Sequence, residues 1–155
     1  MASKITRRTA AATLAAAAAA PLAPSRAARP GAAEAVLYRD ANCGCCGDYA
    51  DHLRARGHAV RVVATDDLAR IKREHGVPEA LGSCHTTLVG GYVVEGHVPV
   101  GVVERLLVER PAIRGIALPG MPLGSPGMPG PKSEPFVIYA LPRRAVGQPT
   151  IYAVE

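Results

Sequence analysis

The chain has 155 residues, the length of one ordinary domain, with 48% hydrophobic residues and a formal charge of +5. That charge is confined to the start. Lys4, Arg7, Arg8, Arg26 and Arg29 precede the first acidic residue, Glu34, and from there thirteen basic residues face thirteen acidic ones. A domain without net charge lacks the electrostatic footprint of nucleic-acid binding, and that class is excluded.

Residues 1–33 read as an export signal. "SKITRRTA" is a basic start with paired arginines, and Ala10 to Ala20 is an apolar run about the length of a signal-peptide core. The run is too short to span a membrane, which takes ~20 apolar residues. Its weak hydrophobicity directly after Arg7-Arg8 leans toward the twin-arginine route, with Sec export as the alternative. Small residues at Gly31–Ala33 and Ala33–Ala35 offer two cleavage sites. Cutting at or before Ala33 leaves slack before the first strand and a mature domain of residues 34–155, with no membrane span. A domain of about 120 residues buries a sufficient core without cross-links, so its cysteines are available for chemistry.

"AVLYRD" (Ala35 to Asp40) predicts a short buried strand, followed by a cysteine loop with Asn42 as helix N-cap. Cys46, Tyr49, Ala50 and Leu53 then recur at helical spacing until Gly57 stops the helix. "HAVRVVA" (His58 to Ala64) predicts a second strand. Asp66 and Asp67 open a second helix with Leu68 and Ile71 on one face, ending at Gly76 and Pro78. After a loop containing "GSCHT", "TTLVGGYVVEG" predicts a hairpin turning at Gly90-Gly91. "VPVGVVERLLVER" (Val98 to Arg110) predicts a third helix with Pro99 in its first turn and Val103, Leu106 and Leu107 on its apolar face. "GIALPGMPLGSPGMPGPKSEP" is too rich in Gly and Pro for helix or central strand. "PFVIYAL" and "PTIYAVE" predict two final strands. The β-α-β-α-β-β-α order is that of a thioredoxin-like, glutaredoxin-like α/β fold, followed by a Gly/Pro/Met-rich loop and C-terminal strands.

Three of the four cysteines, Cys43, Cys45 and Cys46, lie within "DANCGCCGD". In a thioredoxin-like fold they occupy the loop before the first helix. The loop before the third strand, here "SCHT" instead of the usual cis-proline, brings Cys84 and His85 beside them. Cys43 and Cys46 form a C-x-x-C pair, the pattern of a thiol-disulfide oxidoreductase, and a helix N-terminus favours the thiolate. Cys45 and Cys84 would then be off-pathway thiols, which an efficient dithiol enzyme avoids. Four sulfurs and an imidazole instead make a soft-ligand site for Cu(I) or zinc. Adjacent Cys45 and Cys46 suit thiolates bridging copper ions better than a closed zinc site built from two spaced pairs. Met121 and Met128, in the doubled "PGMP", either add thioether ligands or fill gaps under a loop.

His97 is a ligand or a local structural residue. His52, His58 and His75 read as surface or helix-end residues, and Tyr49 as core. Purely structural bridging is the remaining alternative, with Cys43–Cys46 plus Cys45–Cys84 the feasible pairing. No general base, nucleophile triad or phosphate loop is visible.

"CGCCGDY", "SCHTTLVGGYVVEGHVP", "ERLLVERP" and "GIALPGMPLGSPGM" together resemble the DUF-411 family, CopG-like proteins associated with copper resistance in bacteria. The resemblance runs from about Val36 to Met128. It implies a periplasmic, thioredoxin-like protein binding Cu(I) through Cys43, Cys45, Cys46 and Cys84, with a periplasmic copper protein or exporter as partner. Two departures stand out: Tyr49 replaces the family's usual tryptophan, and Pro129 stands where an acidic residue commonly follows the second "GM". Neither touches a thiol.

Overall fold

The computed structural model describes residues 33–144 and 148–155. Residues 1–32, which hold nearly all of the expected export signal, lie outside them, as does part of the connection between the last two strands.

In chain order the elements are β1 (Glu34–Arg39), α1 (Gly44–Ala55), β2 (Ala59–Ala64), α2 (Leu68–Glu74), a 3-10 turn (Glu79–Leu81), β3 (His85–Val89), β4 (Tyr92–Glu95), α3 (Val100–Glu109), β5 (Gly115–Ala117), β6 (Val137–Leu141) and β7 (Thr150–Val154). The seven strands form one mixed sheet in the order β2-β1-β3-β4-β5-β6-β7. β1 runs parallel to β2 and β4 to β5, and the other pairs are antiparallel.

Strand alternation assigns the two faces. Ala35, Val94, Ile116 and Ile138 pack with Val102, Val103, Leu106 and Leu107 of α3. Leu37 carries the same face under α1, against Cys46, Tyr49, Ala50 and Leu53. The opposite face, Val93, Ala117 and Leu141, is covered by Val77 and Leu81 just after α2. The third-helix apolar face expected from its 3–4 residue spacing is therefore the face that is buried. The hairpin turns where expected, with Gly90 and Gly91 at φ 56° and 86°, a conformation that disfavours side chains.

Three local expectations are corrected. The "GIALPG" stretch, read as excluding a central strand, supplies β5, which sits inside the sheet between β4 and β6. Three apolar residues suffice there because both neighbours complete its hydrogen bonds. Gly115 is needed for that approach, since a Cβ would collide with the Val93 backbone. Asn42 does not cap α1: its N–H donates to Asp40 Oδ1 at 2.8 Å, and Cys43 occupies the cap position without a side-chain capping bond. His58 is buried, not at the surface, and its Nδ1 accepts from the Ala33 N–H at 3.2 Å.

Candidate metal centre

The cysteine loop is drawn tight from β1. Arg39 Nη1 donates to the carbonyls of Asp40, Ala41 and Cys43 at 3.1, 2.9 and 3.0 Å. Cys45 and Cys46 follow in the first turn of α1, where helical spacing turns Cys46 inward with Tyr49, Ala50 and Leu53. Cys43 and Cys45 are half-buried. Cys43 and Cys46 are disulfide-bonded, with Cα atoms 5.6 Å apart, and Cys45 and Cys84 are free thiols.

Cys84 reaches the loop from 38 residues beyond Cys46, on the segment leading into β3. Its Sγ lies 3.5 Å from Cys46 Sγ and 3.9 Å from Cys45 Sγ, while Cys45 Sγ is 3.6 Å from Cys43 Sγ. All four sulfurs fall within 4.8 Å of one another. This compactness bears on chemistry. A thiolate displaces a sulfur from a disulfide in line, and with an ordinary S–S bond of about 2.04 Å that geometry would put Cys84 about 5.5 Å from Cys43. The quartet is too compact for it. Cys84 approaches the bridge from the side and is not aligned as a resolving thiol.

Two imidazoles complete the cluster. His85, the first residue of β3, and His97, just after β4, are both fully buried. Cys84 Sγ lies 3.4 Å from His85 Nδ1 and 3.1 Å from His97 Nε2. Cys84, His85 and His97 thus form a second convergent donor set. Tyr49 floors it, its ring 4.6 Å from His85 and 5.6 Å from His97 between centroids, and its hydroxyl donates to the Val98 carbonyl at 2.9 Å. Tyr49 is core, as expected, and is also the wall against which both imidazoles stand.

The Gly/Pro/Met-rich loop closes over this corner. His97 Nδ1 is 2.7 Å from the Pro126 carbonyl, and Gly127 (φ 81°) lies against the first turn of α1, where a Cβ would come 2.7 Å from Tyr49 N and 2.8 Å from Cys45 O. Gly127→Ala therefore meets backbone on both sides in a left-handed conformation. It is expected to lower stability by about 2 kcal/mol or more, read from urea unfolding midpoints. The methionines take different places. Met128 lines a groove with Asp48, Asp51 and His52 on the outer face of α1, and Met121 is half-exposed on the loop.

Burial sets the charge states. The Cys84 thiol is pushed up to about 12, first by desolvation and then by the neighbouring Cys45. His85 is held well below the usual histidine range by burial, then by His97 and Lys72, and His97 is lowered by burial. The metal-free corner is therefore neutral, and a metal must displace the Cys84 proton.

The site also depends on Glu95, which sequence reasoning passed over. Glu95 is fully buried at the end of β4, where burial raises its carboxyl against the opposing pull of Lys72. It accepts from Lys72 Nζ on α2, from Ser83 N at 2.6 Å and from Thr86 Oγ1 at 2.7 Å. Ser83 and Thr86 flank Cys84 and His85, so this carboxylate fixes the segment that delivers both. The available signal was an acidic residue inside the apolar strand "YVVEG".

The chain matches the family model described as protein of unknown function, DUF411, over residues 81–128, the span from the Cys84 segment through Met128. No curated protein matches it. Two solved structures do. "Copper resistance protein copG- Form 2" is 41% identical, covering 80% of this chain and 98% of that one with a TM-score of 0.73. "Copper resistance protein copG- Form 1" is 40% identical, covering 79% and 96% with a TM-score of 0.71. At that identity and coverage, with the Cys84 segment inside the matched family region, the chain belongs to the DUF411 family.

Proposed function

We propose that this chain is an exported copper-handling protein whose reduced form holds Cu(I) through Cys43, Cys45, Cys46 and Cys84, with His85 assisting. The observation that carries the reading is the convergence of four sulfurs within 4.8 Å, one of them delivered from the distant segment that leads into β3. Such a donor set is soft and suits Cu(I), with zinc as the competing ion. The names of the two similar structures, both copper resistance proteins, support copper. The role is copper sequestration or delivery outside the cytoplasm, with another periplasmic copper protein or an exporter as partner. Residues 1–33 would be the twin-arginine-like signal and residues 34–155 the thioredoxin-like metal-binding domain. The order β2-β1-β3-β4, with β1 parallel to β2 and antiparallel to β3, supports the thioredoxin-like assignment. Met128 and Met121, further candidate ligands, would be peripheral to the thiols.

A thiol-disulfide oxidoreductase using Cys43 and Cys46 is the second reading, favoured by the bridge between them. It gives no role to Cys45 and Cys84, the two further thiols packed beside the bridge.

The test is anaerobic titration of the reduced chain with Cu(I) against a competing chelator. Binding of one or more ions is expected, and Cys45→Ser should weaken it at least tenfold. Unchanged affinity in that variant, combined with rapid insulin reduction by the wild type, would replace the copper reading with the oxidoreductase.

A further inference from the structure

The disulfide-bonded form withdraws Cys43 and Cys46 from metal binding but leaves the corner of Cys84, His85 and His97 intact. That corner carries an internal conflict of hydrogen bonding. His97 Nδ1 faces the Pro126 carbonyl at 2.7 Å, so it bears the proton and donates it, leaving Nε2 bare toward Cys84 Sγ. His85 Nδ1 faces the same sulfur. Its Nε2 is buried without a partner. One thiol proton cannot serve two bare ring nitrogens. Placing the proton of His85 on Nδ1 instead strands a bare Nε2, so either tautomer leaves a buried nitrogen unmatched.

A cation resolves the competition at the sulfur, because one ion accepts lone pairs from Sγ, His85 Nδ1 and His97 Nε2 together. The spacing fits. A tetrahedral ion with metal–sulfur and metal–nitrogen bonds of about 2.3 and 2.05 Å holds its sulfur and nitrogen ligands about 3.5 Å apart. The observed separations are 3.4 and 3.1 Å, so a few tenths of an ångström of opening suffices. The Pro126 carbonyl fixes the His97 ring in the ligating tautomer, as outer hydrogen bonds do for metal-bound histidines.

We propose that the disulfide-bonded chain has a separate mononuclear site, Cys84, His85 and His97, for one divalent ion of borderline softness in the Zn(II)/Co(II) class. One thiolate and two imidazoles favour such ions over the softer Cu(I) assigned to the four sulfurs. The chain then has two metal sites that share Cys84 and His85, and the Cys43–Cys46 bond decides whether the four-sulfur one is complete.

The test uses the full chain, oxidised to two free thiols per molecule and titrated anaerobically with Co(II). One equivalent should bind with a thiolate-to-cobalt charge-transfer band of single-thiolate intensity, and Zn(II) should displace it. His97→Ala should weaken Co(II) binding at least tenfold. A bridged wild type that shows no such band overturns the proposal, as does a folded His97→Ala chain that binds equally well. Should that variant not fold, alkylation of the wild type decides: Zn(II) should slow labelling of Cys84 at least tenfold relative to Cys45, and an unchanged ratio refutes the site. Because these measurements use the bridged chain and no copper, their outcome is separate from that of the Cu(I) titration on the reduced chain.

Discussion

Cys84→Ser is expected to lower Cu(I) affinity by two orders of magnitude or more while leaving the fold in place. Cys84 is the one sulfur that lies near Cys45, Cys46, His85 and His97 at once. A serine hydroxyl is a hard oxygen that stays protonated at neutral pH and does not ligate Cu(I). Loss of groups that merely support a metal ligand costs about 10–100-fold, so loss of the shared ligand should exceed that. Chelator competition on the reduced chain gives the affinity, and urea unfolding of the metal-free chain shows whether the fold survives. An unchanged affinity and stoichiometry would mean that Cys84 is a bystander and that the four-sulfur site is wrong.

The second large effect is thermodynamic. Glu95 is fully buried and Lys72 partly so, and removing one partner of such a pair strands the other charge. Glu95→Ala is expected to cost about 3–5 kcal/mol, read as a lower urea midpoint at unchanged slope. Replacing both, Lys72→Met with Glu95→Leu, should recover most of that stability, because no stranded charge remains. It should not recover metal affinity, since Ser83 N and Thr86 Oγ1 still lack the acceptor that fixes the Cys84 segment. If the double variant binds Cu(I) like the wild type, Glu95 serves the fold alone. A cost below about 1 kcal/mol in Glu95→Ala would show that the pair is dispensable altogether.

These two residues also mark the limits of what the sequence discloses. The elements around the site were legible because their periodicities are long: the apolar spacing of α1 and α3, the Gly90-Gly91 turn, the strand alternation of β3 and β4. The convergence of Cys84 and His85 on the cysteine loop followed from element order, without any local signal. β5 was not legible, because three residues carry no period and their strand character comes from the neighbours on either side. His58 looked like a surface or helix-end residue because nothing local shows that its ring accepts from Ala33, just before β1. His97 was left between ligand and local structure because its role depends on Pro126, a residue from the loop beyond α3. The Cys43–Cys46 bridge followed from its spacing, whereas Cys45–Cys84, the other half of the feasible pairing, is not formed and both remain free thiols.

The separations within the site also set an order of assembly. Cys43 and Cys46 are three residues apart, so their bond can close once a single turn of α1 exists. The Cys46–Cys84 approach closes a loop of 38 residues, and the hydrogen bond from Tyr49 to Val98 spans 49. Closing the longer loop costs on the order of 2 kcal/mol more chain entropy than closing the shorter one, and it waits on the pairing of β1 with β3. A nascent chain therefore offers three neighbouring thiols well before it offers the fourth sulfur or either ring. Metal met at that stage finds a partial set of ligands, and metal met afterwards finds the whole one. On the proposed copper reading, tight loading would be a late event in the life of the chain, and metal bound to the folded form alone would add to its resistance to unfolding.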